Sequence, residues 1–148
     1  MPAETIAIAN DHGGFELKTE LVKELTNLGY TPLDLGCDSI ESVDYPDFGY
    51  AMADAIKNGQ ATRGILICGS GIGISIAANR DPAIRAALVH DALGSKLSRQ
   101  HNNANVIVFG GRVIGPDTAV DCLKVFLETN FESGGRHTRR VDKLSNPE

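Results

Sequence analysis

Apolar residues along this chain alternate between short continuous runs and helical spacing. Thr5-Ile6-Ala7-Ile8-Ala9-Asn10 is the first run and predicts a strand. Asp11-His12-Gly13-Gly14 breaks it. Phe15, Leu17, Leu21, Val22, Leu25 and Leu28 then recur with the period of a helix, which Gly29 stops. Tyr30 to Leu35 predicts a second strand, and Pro32 puts it at a sheet edge because proline lacks the ladder N–H. A polar loop from Gly36 to Asp44 leads into a helix from about Pro46 to Lys57. Gly64-Ile65-Leu66-Ile67-Cys68 is almost wholly apolar, as suits a parallel strand covered on both faces. The turn Gly69-Ser70-Gly71-Ile72-Gly73 follows, then a helix through about Ala78. Arg85 to Val89 predicts a fourth strand, and about Ala92 to Gln100 a helix. Val106-Ile107-Val108-Phe109 is the fifth strand, ended by Gly110-Gly111, and a helix from about Pro116 to Thr129 completes the pattern. The tail from about residue 131 allows one short last helix.

Strand and helix alternate five times. The predicted fold class is α/β: a three-layer α/β/α sandwich around a five-stranded, parallel, Rossmann-like sheet with right-handed crossovers. A chain of 148 residues fits one domain, 1–148, and a core that buries roughly 68–70% of the unfolded surface. Composition adds little to this, with 42% hydrophobic and 22% charged residues and no Trp. The net charge of -5 argues against general binding of nucleic acid. Three cysteines, at 37, 68 and 122, form no C-x-x-C pair and suggest reduced thiols in a cytoplasmic setting. No apolar run reaches the roughly 18 residues of a membrane span, and no signal peptide is evident.

Ligands of open α/β sheets bind beyond the carboxyl ends of the strands. Asp11 and His12 follow the first strand, Cys68 and the glycine turn end the third, and Gly110, Gly111 and Arg112 follow the fifth. The turn reads equally as a cradle of N–H groups for an anion and as a bend that needs glycine. Ile74 decides against three familiar alternatives. It stands where a dinucleotide fingerprint needs Gly and where a C-x5-R phosphatase loop needs Arg, and the Gly-Lys-Ser/Thr of a P-loop is missing. A thiol at the end of such a strand is by default a small hydrophobe. The helix start beside Cys68 favours thiolate and makes it a candidate base or nucleophile, a setting that Cys37 and Cys122 lack. His12 and His101 sit in polar contexts, His90 with less support. No two His or Cys have metal-ligand spacing, so no metal site is expected. Arg136 and Arg140, four residues apart with Arg139 adjacent, form either a solvated face or a phosphate clamp.

Several motifs together resemble the type B ribose-5-phosphate isomerases. They are Asn10-Asp11-His12-Gly13-Gly14, Asp44-Tyr45-Pro46, Ile67-Cys68-Gly69-Ser70-Gly71-Ile72-Gly73-Ile74-Ser75-Ile76-Ala77-Ala78-Asn79, Ser98-Arg99-Gln100-His101-Asn102 and Gly134-Gly135-Arg136-His137. The match runs in order from about residue 5 to 143. The resemblance implies interconversion of ribose 5-phosphate and ribulose 5-phosphate through a cis-enediolate, with no cofactor and no metal. It implies a homodimer or tetramer whose sites use residues of two subunits, so the tail is expected to contact a partner. By position, it makes Cys68 the base, and Ser75, where some members carry Glu, favours that cysteine variant. It makes His101 the ring opener with Asp11, and puts Ser70 among the catalytic residues. It implies phosphate contacts for His12, Arg136 and Arg140. It also implies substrate contacts for Asp11, Tyr45, Gly69, Ser70, Gly71, Gly73, Ser75, Asn102 and Arg112. The rival expectations are a six-carbon substrate, such as allose 6-phosphate or galactose 6-phosphate, and a phosphosugar sensor without turnover.

Overall fold

In the computed structural model, which describes residues 3–147, every predicted strand and helix forms. The strands are β1 (Thr5–Asn10), β2 (Thr31–Asp34), β3 (Arg63–Cys68), β4 (Ala86–Leu88) and β5 (Val106–Gly110). The helices are α1 (Phe15–Asn27), α2 (Tyr45–Lys57), α3 (Ile72–Asn79), α4 (Ala92–Gln100), α5 (Pro116–Glu128) and α6 (Arg136–Ser145). A 3₁₀ turn, His12–Gly14, occupies what the pattern read only as a break. The strands pair in parallel in the order β2-β1-β3-β5-β4. Pro32 lies in β2, one of the two edges. β4, the other edge, is shorter than its apolar run. At its start the Arg85 N–H turns to the Asn105 side chain, 2.8 Å away, instead of to a strand.

Side chains alternate between the faces of each strand, and the two faces carry separate cores. Ile6, Ile8, Ile65, Ile67, Ile107 and Phe109 pack with α1 and α5. Ala7, Ala9, Leu66, Cys68, Val106 and Val108 pack with α2 and α3. The small alanines of β1 on the second face leave room for Met52 and Ile74, both fully buried. From β1 the chain steps outward to β2, and from β3 it moves the opposite way. The strand order therefore reverses between β1 and β3, where α1 and α3 leave on opposite faces and a crevice opens.

The polar links that hold this frame are few and partly buried. Lys18 on α1 reaches Asp34 and the Cys37 carbonyl, both at 2.9 Å, and so ties the loop after β2 to the first helix. Phe126 of α5 is fully buried against two guanidinium groups, with Arg63 and Arg99 Cζ 5.8 and 5.6 Å from its centroid. These arginines also donate to the Leu127 and Thr129 carbonyls, at the α5 end where positive charge is favoured. Arg63 closes the set with paired bonds to Glu4, each 2.8 Å.

Phe126→Ala is expected to cost about 3–5 kcal/mol, because it opens a cavity and removes the cation–π contacts. Urea unfolding at fixed pH measures it. The Arg63 bond, more than any other contact, holds the Glu4 carboxyl below its ordinary value of 4.5. Such a group binds fewer protons folded than unfolded. Its stabilisation is thus complete above the unfolded value and is lost as pH falls through the folded one. The stability difference between wild type and Glu4→Gln, on the order of 1 kcal/mol at neutral pH, should shrink to nothing in that acid range.

Candidate active site

Cys68 ends β3 and is 4% exposed, with its side chain on the face covered by α2 and α3. Backbone bonds fix it from both sides. Its carbonyl accepts from Gly111 N–H at 2.8 Å, and the Gly69 carbonyl accepts from Arg112 N–H at 3.0 Å. The turn after β3 is thereby locked to the turn after β5. The sulfur itself accepts a hydrogen bond from Gly71 N–H, 3.1 Å away. Such a bond is stronger to a thiolate than to a thiol. Cys122 contrasts with it. Burial first, then Asp121 and Asp91, push its thiol up to about 11, which leaves it inert packing on α5.

Gly71 makes the turn possible. It adopts φ +79 as the N-cap of α3, and a side chain there would also run into Leu88 and Phe109. The cradle expected of the Gly69–Gly73 turn is narrower than the sequence suggested. Gly71 N–H is directed to the Cys68 sulfur, Ile72 N–H to Ser70 Oγ at 3.1 Å, and Ser75 N–H to the Gly71 carbonyl at 3.3 Å. The N–H groups of Gly69, Ser70, Gly73 and Ile74 have no hydrogen-bond partner among the described residues. They are the anion donors that the turn offers at the α3 start. Ser70 Oγ serves the turn backbone, and Ser75 donates its hydroxyl proton to the Ile72 carbonyl at 2.7 Å.

Beside the cradle, Asp11 is 5% exposed and caps the 3₁₀ turn, its Oδ1 accepting from Gly13 N–H at 2.8 Å. Asn10, fully buried, donates to the Asp11 carbonyl at 2.8 Å and to the Cys37 sulfur at 3.3 Å. It fixes the strand exit, a supporting role that spacing did not reveal. His12 Nδ1 accepts from Val43 N–H at 3.2 Å, so the neutral ring carries its proton on Nε2 as an outward donor. His12 and Arg112 line one cleft with Gly13, Gly111, Glu16 and Ile40. Tyr45 begins α2, partly exposed, with its ring against Gly73.

The remaining expected residues lie elsewhere in the protomer. His101 caps the C-terminal end of α4, which runs down to the start of β5. Cys68 pairs with Gly110 and Gly64 with Val106, so the sheet separates these ends by about 13 Å at 3.3 Å per residue. Asn102 lies at the same lower end, in a pocket with Asn79, Arg85, Ala104 and Leu144. That pocket includes α6, the helix that carries Arg136 and Arg140. Arg99 holds this corner together, donating to Thr129, Ala104 and Asn103. The tail returns there as well. Glu132 N–H donates to the Gln100 carbonyl at 3.1 Å, and His137 stacks on His101 with centroids 4.2 Å apart and an 8° tilt. Partial burial, then His101 and Arg136, hold the His137 imidazole below its ordinary value. His101, Glu132 and His137 present ligand atoms within 4.8 Å of one another, a group that no spacing in the sequence announced. His90, exposed beyond β4, joins neither cluster.

A single protomer thus brings together Asp11, His12, Tyr45, Cys68, the glycine turn with Ser70 and Ser75, and Arg112. It keeps His101, Asn102, Arg136 and Arg140 apart from them. The upper group combines a sulfur held by a backbone donor, a buried carboxylate and four free N–H groups, which suits proton transfer beside a developing oxyanion.

Comparison with known proteins agrees with this geometry. Residues 6–144 match the model of the Ribose/Galactose Isomerase family. Ribose-5-phosphate isomerase B of Escherichia coli is 44% identical over 140 residues, 95% of this chain and 93% of that protein. D-erythrulose-4-phosphate isomerase of Pectobacterium atrosepticum is 43% identical over 141 residues, 95% of this chain and 92% of that protein. The structure of Clostridium thermocellum ribose-5-phosphate isomerase B superposes with a TM-score of 0.94 at 48% identity, covering 97% and 96% of the two chains. Matched over almost its full length by the family model, and by relatives of this identity, the chain belongs to the ribose/galactose isomerase family.

Proposed function

We propose that this isomerase interconverts ribose 5-phosphate and ribulose 5-phosphate, with Cys68 as the base and His101 as the group that opens the sugar ring. The carrying observation is the Cys68 sulfur, held 3.1 Å from Gly71 N–H at the mouth of a turn with four unclaimed N–H groups. In the reaction the thiolate takes the C2 proton of the open aldose. The C–H electron pair forms the C1–C2 double bond, and the carbonyl oxygen takes the displaced pair as the oxyanion of a cis-enediolate. The free N–H groups of the turn stabilise that charge. The O2 hydroxyl proton then passes to O1, and the O–H electron pair becomes the C2 carbonyl. The double-bond pair takes the proton back from the thiol at C1, which gives the ketose and restores the thiolate. The aldose is stored as a furanose, so an acid–base group must first open it, and an imidazole suits that task near neutral pH. Asp11 assists from beside the turn, and Asn102 and Arg112 contact the sugar.

The separation between Cys68 and His101 supports a site shared by two copies. In such a dimer the lower end of one protomer, with His101, Asn102, Arg136 and Arg140, faces the upper end of the other. His12 of one copy and the arginines of the next then hold the phosphate. The relatives leave sugar length open. At nearly equal identity one is named for a five-carbon aldose phosphate and another for a four-carbon ketose phosphate. The rival substrate is a six-carbon sugar phosphate, since the matching family is named for galactose as well as ribose, and membership of an isomerase family speaks against a sensor without turnover.

Rates on ribose 5-phosphate, allose 6-phosphate and erythrulose 4-phosphate, measured side by side, test the substrate. The five-carbon sugar is expected to give the highest kcat/KM. Cys68→Ser should lose on the order of 10²–10⁴-fold in kcat on either pentose, with the fold unchanged by circular dichroism. Full activity in that variant sinks the assigned base. His101→Asn should lose a similar factor from ribose 5-phosphate, yet keep solvent deuterium exchange at C1 of ribulose 5-phosphate, whose phosphorylated O5 bars furanose closure. Refolding Cys68→Ser together with His101→Asn should restore about a quarter of wild-type activity, since mixed dimers carry one intact site. No recovery speaks against a shared site.

A further inference from the structure

We propose that His101, Glu132 and His137 form a site for one divalent transition-metal ion of the zinc class, and that filling it inhibits the isomerase. The geometry carries the first half. The three ligand atoms lie within 4.8 Å of one another. A tetrahedral zinc site with bonds of about 2.0–2.1 Å sets its ligand atoms about 3.4 Å apart, so the three side chains close in on the ion by χ rotation. The two imidazoles lie stacked, 4.2 Å apart and 8° from parallel, so one ring turns out of the stack to bring both in-plane lone pairs onto one ion. Two histidines and one glutamate are a recurrent zinc ligand set, and three protein ligands leave the fourth position to water.

The backbone under each ligand is anchored. His101 N–H donates to Leu97 at 2.9 Å, and Glu132 N–H to Gln100 at 3.1 Å. Gly134 N–H donates to Thr138 Oγ1 at 2.8 Å, closing the turn that starts the helix of His137. Glu132 supplies an independent sign. It stands among Arg136, Arg139 and Arg140 in the tail, yet it forms no ion pair with any arginine among the described residues and turns to the two rings instead. The arginines oppose a dication, so the site is one of moderate affinity that exchanges its ion. Imidazole nitrogens and a single carboxylate favour zinc, cobalt, nickel or copper over magnesium and calcium, which prefer oxygen ligands.

The second half rests on the role given to His101 above. An imidazole nitrogen bound to metal has no lone pair left to move a proton, so a filled site stops ring opening. A metal here is an inhibitor of the reaction and takes no part in it.

Equilibrium dialysis of the intact, chelator-stripped protein against Zn²⁺, repeated with Co²⁺ and its visible absorption, tests binding without reference to activity. One equivalent per chain is expected for wild type and for Cys68→Ser, which excludes the Cys68 thiol as a ligand. Glu132→Gln and His137→Gln, checked for folding by circular dichroism, should each bind at least about tenfold more weakly. Unchanged binding in both variants, or no saturable binding by wild type, overturns the site. In the coupled assay Zn²⁺ should inhibit wild type, while Glu132→Gln, compared with its own metal-free rate, should resist it. Equal inhibition of the two overturns the regulatory half. A protein that binds zinc here but turns over no pentose phosphate would refute the function proposed above and leave the metal site standing.

Discussion

Everything in this protein depends on β3 having water on neither face. Its residues from Gly64 to Cys68 are buried, so each backbone N–H and C=O must find a partner in β1 or β5. That requirement fixes the register, and the register places Cys68 level with Gly110 and one step past the pair Asn10–Ile67. The ends of the three central strands therefore stop together. The loops beyond them, with Asp11, the glycine turn and Arg112, have little choice but to meet. The bond from Gly111 N–H to the Cys68 carbonyl extends the same ladder one residue into the site.

The same layering explains why one protomer keeps Cys68 and His101 apart. In a parallel α/β sheet each helix returns the chain to the opposite end. Residues at strand ends and residues at helix ends are necessarily apart by the length of the sheet. Cys68 belongs to the first class and His101 to the second. The proposed shared site uses a second copy to bring such groups face to face. The light packing of α6, with only Val141 buried on it, suits a segment that gains its remaining contacts outside its own chain.

The two clusters also differ in chemistry. At the upper end the donors are backbone N–H groups, rigid because the turn is locked between β3 and β5. At the lower end the groups are long or ionisable side chains on α4, the tail and α6. Arg99 is their common brace, joining Thr129, Ala104 and Asn103 while its guanidinium rests on Phe126. A rigid, neutral donor set is suited to a charge that develops for an instant. An adaptable set of imidazoles, arginines and a carboxylate is suited to ligands that come and go, an anion or a metal ion.

The fold was legible in the sequence because its signals are local. Apolar runs of strand length, helical spacing and glycine punctuation need no long-range information. Even the edge position of Pro32 follows from its missing N–H. The motifs also told which residue types to watch, and the glycine turn after Cys68 was readable from glycine content and position. The tertiary structure alone decided three things. It showed that Ser70, Ser75 and Gly71 direct polar groups into the turn itself, because hydrogen-bond partners depend on angles that sequence does not encode. It sorted the candidate residues between two ends of the sheet, because that sorting depends on where each helix finishes. It brought His101 beside Glu132 and His137 across 31 and 36 positions of chain, a meeting set by the return of the tail onto α4 and absent from any local pattern.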